Sequence, residues 1–137
     1  MQKKCFFCSI QKHGKTNKIA ETANFFSRYD GFPVSKGHAE VVPKAHIVSV
    51  FGLHGNQIRE LYELVERTTK ILKARFKPDG FNIGINEGKA AGRTQPHLHV
   101  HIIPRFKGDV ANPIGGIRNI FPAKADYTIK VKKGVAQ

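Results

Sequence analysis

The sequence predicts an α+β fold in which an antiparallel β-sheet carries one main amphipathic helix. Three observations lead there. Short stretches of strand character are separated by turn residues, one segment alone keeps a long helical stripe, and residues 97–103 alternate histidine with aliphatic side chains. At 137 residues the chain falls in the size range of one domain with its own core, so the expectation is a single domain over 1–137.

Taken in chain order, Cys5-Phe6-Phe7-Cys8 opens the readable part. Half of a metal site, a redox pair and two incidental thiols all fit a lone C-x-x-C. The redox reading ranks last, because a thioredoxin-like unit needs a strand before the motif and only four residues precede Cys5. Residues 11–18 are polar and contain Gly14, which predicts a loop. Lys18 to Tyr29, with Phe25, Phe26 and Tyr29, reads as a strand, and Asp30-Gly31-Phe32-Pro33 as a turn. A second strand, from about His38 to Val42, ends near Pro43, which has no amide hydrogen to give to a ladder.

From Asn56 to Phe76 the residues Ile58, Leu61, Leu64, Val65, Ile71, Leu72 and Phe76 recur mostly at steps of three and four, the stripe of an amphipathic helix. Asn56 is expected to cap it, and Pro78-Asp79-Gly80 to stop it. Phe81 to Asn86 alternates as a strand with one small or polar face, and Glu87 to Pro96 is a glycine-bearing loop. His97 to Ile103 is the next strand, and Arg105 to Asn119 a long irregular segment.

The formal net charge of +13 is concentrated at the ends: Lys3, Lys4, Lys12, Lys15 and Lys18 precede the first acid, Glu21, and Lys124, Lys130, Lys132 and Lys133 crowd the other terminus. Such a field favours nucleic acid, anionic lipid or a polyphosphorylated small molecule, while a solvated face that aids solubility is the bland alternative. No apolar run approaches the roughly 20 residues that span a bilayer, and the N-terminus lacks the apolar core of a signal peptide. No membrane association and a cytoplasmic location are therefore expected.

The histidine segment carries the chemistry. Alternation along a strand sends His97, His99 and His101 to one face and Leu98, Val100 and Ile102 to the other, so the aliphatic set can meet the helix while the imidazoles line a site. Same-face neighbours stand about 7 Å apart, close enough to share one substrate or one metal. Histidine is the side chain suited to proton transfer, nucleophilic attack and metal binding near neutral pH. A three-histidine metal centre is the rival, although carboxylates near the strand are sparse.

The run Gly92-Arg93-Thr94-Gln95-Pro96-His97-Leu98-His99-Val100-His101-Ile102-Ile103-Pro104-Arg105 resembles the signature of the histidine triad nucleotide hydrolases and transferases. Tyr29-Asp30, Gly37-His38, Val42-Pro43-Lys44-Ala45-His46 and Asn86-Glu87-Gly88 match in the same order. The resemblance extends over nearly all of residues 5–121, which it makes the core, with 122–137 a basic C-terminal extension. It implies that His99 attacks the α-phosphorus of a nucleotide linkage to form a nucleotidyl-histidine, then discharged by water or another acceptor. It implies further that His101 contacts the non-bridging or leaving oxygens and that His38 supports the same pocket. Asp30 would hold the ribose, and Asn86, Gly92 and Thr94 would stand near the phosphate. The family usually has Gln where this chain has Arg93; a cation there would favour a polyphosphate leaving group, unless it points to solvent.

Some members of the family hold a structural zinc with a cysteine pair and two histidines. The matching set here is Cys5, Cys8, His46 and His97, a closed tetrahedral donor set, with no metal required for the chemistry itself. Free thiols are the alternative. The resemblance also implies a homodimer. Against the enzyme stands a non-catalytic nucleotide or nucleic-acid binding module with a basic surface, although no nucleic-acid motif accompanies the charge.

Overall fold

The computed structural model describes residues 5–129. Lys3, Lys4, Lys130, Lys132 and Lys133, part of the charge noted at the two termini, lie outside the described residues. In order come α1 (Phe6–Lys12), β1 (Lys18–Glu21), β2 (Phe25–Tyr29), β3 (Ala39–Pro43), α2 (Asn56–Phe76), β4 (Gly80–Gly84), β5 (Val100–Arg105) and α3 (Pro122–Ala125). The five strands form one antiparallel sheet in the order β1-β2-β3-β5-β4, the α+β architecture predicted. No helix among the described residues is long and apolar enough to cross a membrane.

Burial explains the layers. Phe25, Ala39, Val41, Leu98, Val100 and Ile102 point from the sheet into a cluster with Leu64 and Leu72 of α2. Truncating a fully buried leucine such as Leu72 to alanine costs about 2–5 kcal/mol. The opposite face is also covered, because Phe7 of α1 packs with Phe26 and Val42 in a second, smaller cluster. With both faces closed, β2 and β3 are buried along nearly their whole length.

Four local expectations need correction. Gln11 and Lys12 belong to α1 rather than to a loop; the helix is short and lacks a side-chain cap, so neither stripe nor cap marked it. Lys18 to Tyr29 is two strands. The turn between them has neither glycine nor proline, and it is held from α2 by Glu60, whose carboxylate accepts from the Thr22 hydroxyl and from the Asn24 amide and side chain at 2.8–2.9 Å. Asn56 is the first residue of α2, not its cap: Gly55 occupies the cap position at φ 49°, and the Gln57 side chain accepts from the His54 amide at 3.1 Å. The histidine strand begins at Val100, since Gln95, Pro96 and His97 form a bend.

The chain packs as two compact units, one ending at Arg105 and one starting at Phe106, inside the span expected to form the core. The second is ordered around a short-pitch turn, Gly116–Ile120, and α3. Arg118 donates to the carbonyls of Ala125 and Lys124 at 3.1 and 2.9 Å. Gly115, at φ 89°, lies so close to the Ala125 carbonyl that a side chain there would collide with it. Part of the segment read as irregular is thus a closed turn, and the Gly115-Gly116-Ile117-Arg118 run has a structural use within it.

Candidate active site and metal centre

The side chains of 97–102 keep the alternation even where the ladder stops. Leu98, Val100 and Ile102 enter the main core, while the imidazoles lie on the α1 side of the sheet. Phe7 is the wedge: its ring centroid is 5.3 Å from that of His97 and 5.2 Å from that of His99. The His99 and His101 rings are 4.9 Å apart.

His99 Nδ1 lies 2.9 Å from the His97 carbonyl oxygen. An oxygen there can only accept, so Nδ1 carries a proton, and in the neutral ring Nε2 is the atom left with its lone pair. This is the backbone carbonyl partner that a neutral imidazole nucleophile requires.

His38 immediately precedes β3, and the register Ala39↔Ile102 and Glu40↔His101 brings it beside His101. His38 Nε2 and His101 Nδ1 are 3.0 Å apart, and the Val34 amide donates to His38 Nδ1 at 3.2 Å. Asp30 closes this corner: Oδ1 accepts from the Phe32 amide at 2.7 Å, while Oδ2 lies 3.5 Å from His38 Nε2 and 3.8 Å from His101 Nδ1. Burial pushes His101 down to about 4, with help from the His99 and His38 rings, and it lowers His38 as well. Both rings are therefore held neutral near pH 7. Gly37, at φ 86°, permits the approach to α2, because a Cβ there would stand 2.6 Å from the Phe76 ring.

Arg93 is not turned to solvent. Its guanidinium donates at 3.1 Å to the Val48 carbonyl and to Glu87 Oε1, and Glu87 Oε2 accepts from the Val50 amide. The cation is thus paired and ties the loop to the 48–50 segment. Asn86, Gly92 and Thr94 stand on the same loop, Asn86 half-buried and the other two exposed, outside the contacts that link Asp30, His38, His99 and His101.

Sequence reasoning missed one buried pair. Arg28 and Glu40 form an ion pair at 2.5 Å with side chains 5% exposed, Arg28 also reaches the Thr16 carbonyl, and its guanidinium lies over the Phe6 ring. Burial pushes the Glu40 carboxyl up to about 7 in spite of the guanidinium. Glu40 is the single polar residue of β3, and a lone carboxylate in a strand reads as solvated unless α1 is known to cover it.

The metal-ligating set comes together on the other flank. Cys5 and Cys8 bracket the first turn of α1, His46 lies just past β3, and the ligating atoms of Cys5, Cys8, His46 and His97 fall within 4.8 Å of one another. His97 Nε2 lies 2.8 Å from the Pro43 carbonyl, so it carries the proton and the bare Nδ1 faces the thiols, 3.2 Å from Cys5 Sγ and 3.7 Å from Cys8 Sγ. Cys8 Sγ is 3.6 Å from His46 Nδ1. Two thiols with two imidazole nitrogens at these separations suit a tetrahedral Zn²⁺.

A family model described as the HIT domain matches residues 11–108. The chain is 36% identical over 102 residues to adenosine 5'-monophosphoramidase of Schizosaccharomyces pombe, covering 74% of each. It is 36% identical over 77 residues to that organism's asymmetrical bis(5'-nucleosyl)-tetraphosphatase, covering 56% of this chain and 42% of the relative. Among solved structures, a zinc-bound histidine triad family protein from Mycobacterium smegmatis superposes with a TM-score of 0.71 at 33% identity, covering 80% of each chain.

Proposed function

The chain belongs to the HIT family, whose relatives include nucleotide hydrolases, and from that premise we propose that it cleaves a nucleotide at its α-phosphorus through a covalent adduct on His99. The observation that carries this reading is the hydrogen bond from His99 Nδ1 to the His97 carbonyl, which leaves Nε2 as a bare nucleophile. Nε2 attacks the α-phosphorus of a dinucleoside polyphosphate or nucleoside phosphoramidate. A P–N bond to the ring forms, and the bond to the leaving nucleoside polyphosphate or amine breaks, the polyphosphate departing as its anion and the amine taking up a proton from solvent. Water then adds to phosphorus, releasing a nucleoside monophosphate and restoring the imidazole. Dividing one displacement into two lowers each barrier.

His101 hydrogen-bonds the phosphate or leaving-group oxygens, His38 supports it, and Asp30 receives the ribose hydroxyls through the carboxylate oxygen not used in its own turn. Asn86, Gly92 and Thr94 border the phosphate, and paired Arg93 shapes the loop. Cys5, Cys8, His46 and His97 hold a zinc that anchors α1 and, through Phe7, steadies the His99 ring, with no part in bond breaking. The open edge of β4, where Ile83 is exposed, supports a homodimer.

Incubation with radiolabelled adenosine phosphoramidate and diadenosine polyphosphate, followed by rapid acid-free quenching, should trap label on the wild type and none on His99→Ala. Equal turnover by the two proteins would remove His99 as nucleophile. Salt-sensitive nucleic-acid binding with no turnover at all would favour the binding module instead.

A further inference from the structure

Asp30 Oδ2, His38 Nε2 and His101 Nδ1 lie within 4.8 Å of one another, the donor set of a two-histidine, one-carboxylate metal centre. The other nitrogen of His38 argues against that occupant. The Val34 amide reaches His38 Nδ1 at 3.2 Å, and an amide can only donate, so Nδ1 is an acceptor. Neutral His38 then carries its proton on Nε2, the atom a metal would need bare. That N–H has His101 Nδ1 at 3.0 Å and Asp30 Oδ2 farther away at 3.5 Å. The nearer acceptor takes it, so neutral His101 carries its own proton on Nε2.

We propose that the backbone amide of Val34 sets the proton position of His101, acting through His38, and so makes His101 Nε2–H a donor to the departing group. The chain of hydrogen bonds runs one way only. Reversed, it would need a proton on His38 Nδ1, and two N–H groups would then face each other at that contact. Reversal would also leave His101 Nε2 as a bare lone pair, repelled by phosphate oxygens. Asp30 alone does not choose a direction, since its Oδ2 stands within 4 Å of a nitrogen of each ring. Val34 and His38 are positioning residues in this scheme, and only the amide of Val34 matters: its side chain is 73% exposed. The catalytic consequence rests on the hydrolase reading above, whereas the tautomer does not.

The first test is the long-range ¹H–¹⁵N spectrum of the uniformly labelled full chain at pH 7 without nucleotide. His38 and His101 should each be protonated on Nε2 and bare on Nδ1. A proton on Nδ1 of either ring overturns the proposal. An inactive protein with the expected tautomers would sink the hydrolase reading and leave this one standing. The second test compares Val34→Pro, which deletes the amide hydrogen, with Val34→Ala, which retains it. Val34→Pro should show mixed tautomers at both rings and lose about tenfold in kcat with little change in KM. Val34→Ala should restore the wild-type spectrum and rate. Wild-type tautomers and rate in folded Val34→Pro would also overturn the scheme; should that variant not fold, the wild-type spectrum decides alone.

Discussion

The two ends of the triad hold the same side chain on the same face of the chain, and they are wired in opposite ways. At the His97 end a main-chain acceptor, the Pro43 carbonyl, takes the Nε2 proton, and Nδ1 is left bare toward two thiols. At the His101 end a donor, His38, faces Nδ1, and Nε2 keeps the proton. His99 between them is set by the His97 carbonyl to expose a bare Nε2. On the proposed reading, ligand, nucleophile and hydrogen-bond donor would thus be made from one residue type by the group that fills the other ring nitrogen. Neither the spacing of the histidines nor their common face distinguishes the three roles. The neighbours do, and most of them are main-chain atoms.

Breaking the arrangement at its centre should have the largest effect. His99→Ala should lower turnover by about 10⁴-fold or more, measured with adenosine phosphoramidate, while metal content and thermal unfolding stay near wild type. Next comes the wall beside His101. Arg28→Met leaves Glu40 buried without its partner and should cost about 3–5 kcal/mol in denaturant unfolding, whereas Arg28→Met combined with Glu40→Leu should recover most of that loss.

A crossed pair of variants then separates the two ends. His101→Asn should reduce kcat by about 100-fold with zinc stoichiometry unchanged. Cys8→Ser should lose the metal and lower Tm, yet keep kcat within about tenfold in the fraction that remains folded. Loss of metal in the first variant, or a 100-fold loss of kcat in the second, would mean that the ends are not independent.

The smallest effect is acid sensitivity. His101 is lowered from 6.5 to about 4 in the fold, so the unfolded chain binds the extra proton between those values and acid favours unfolding. Its contribution is complete above pH 6.5 and disappears as pH falls toward 4. Glu40, pushed up to about 7, works in the opposite sense, favouring the fold at low pH, so His101 is best read by difference. The stability gap between wild type and His101→Asn should shrink by about 3 kcal/mol from pH 7 to pH 4, measured by urea unfolding at each pH.

How much of this could be read in advance depends on the range of the interaction. Helix α2 was legible except for the identity of its cap, because a helix of that length repeats its stripe several times. The split of 18–29 into β1 and β2 was not, since it is enforced by Glu60 from another element. At the site, the trio and its common face followed from alternation, which survives although β5 starts at Val100. The fourfold Cys5, Cys8, His46 and His97 grouping and the meeting of His38 with His101 needed the family's pattern to be expected. Phe7, Arg28, Glu40 and the Val34 amide lay beyond reach. Their parts depend on α1 covering the second face and on main-chain direction, neither of which leaves a periodic trace.

The clearance at Gly37 has an evolutionary consequence. One added methyl would meet the ring at the end of α2 and strain the backbone next to His38, so scaffold and chemistry share a single-atom tolerance there. Drift at that position is doubly barred: a smaller residue at 76 would remove the collision, but the backbone angle of φ 86° would still disfavour any side chain, so glycine there is held by both the helix and the turn.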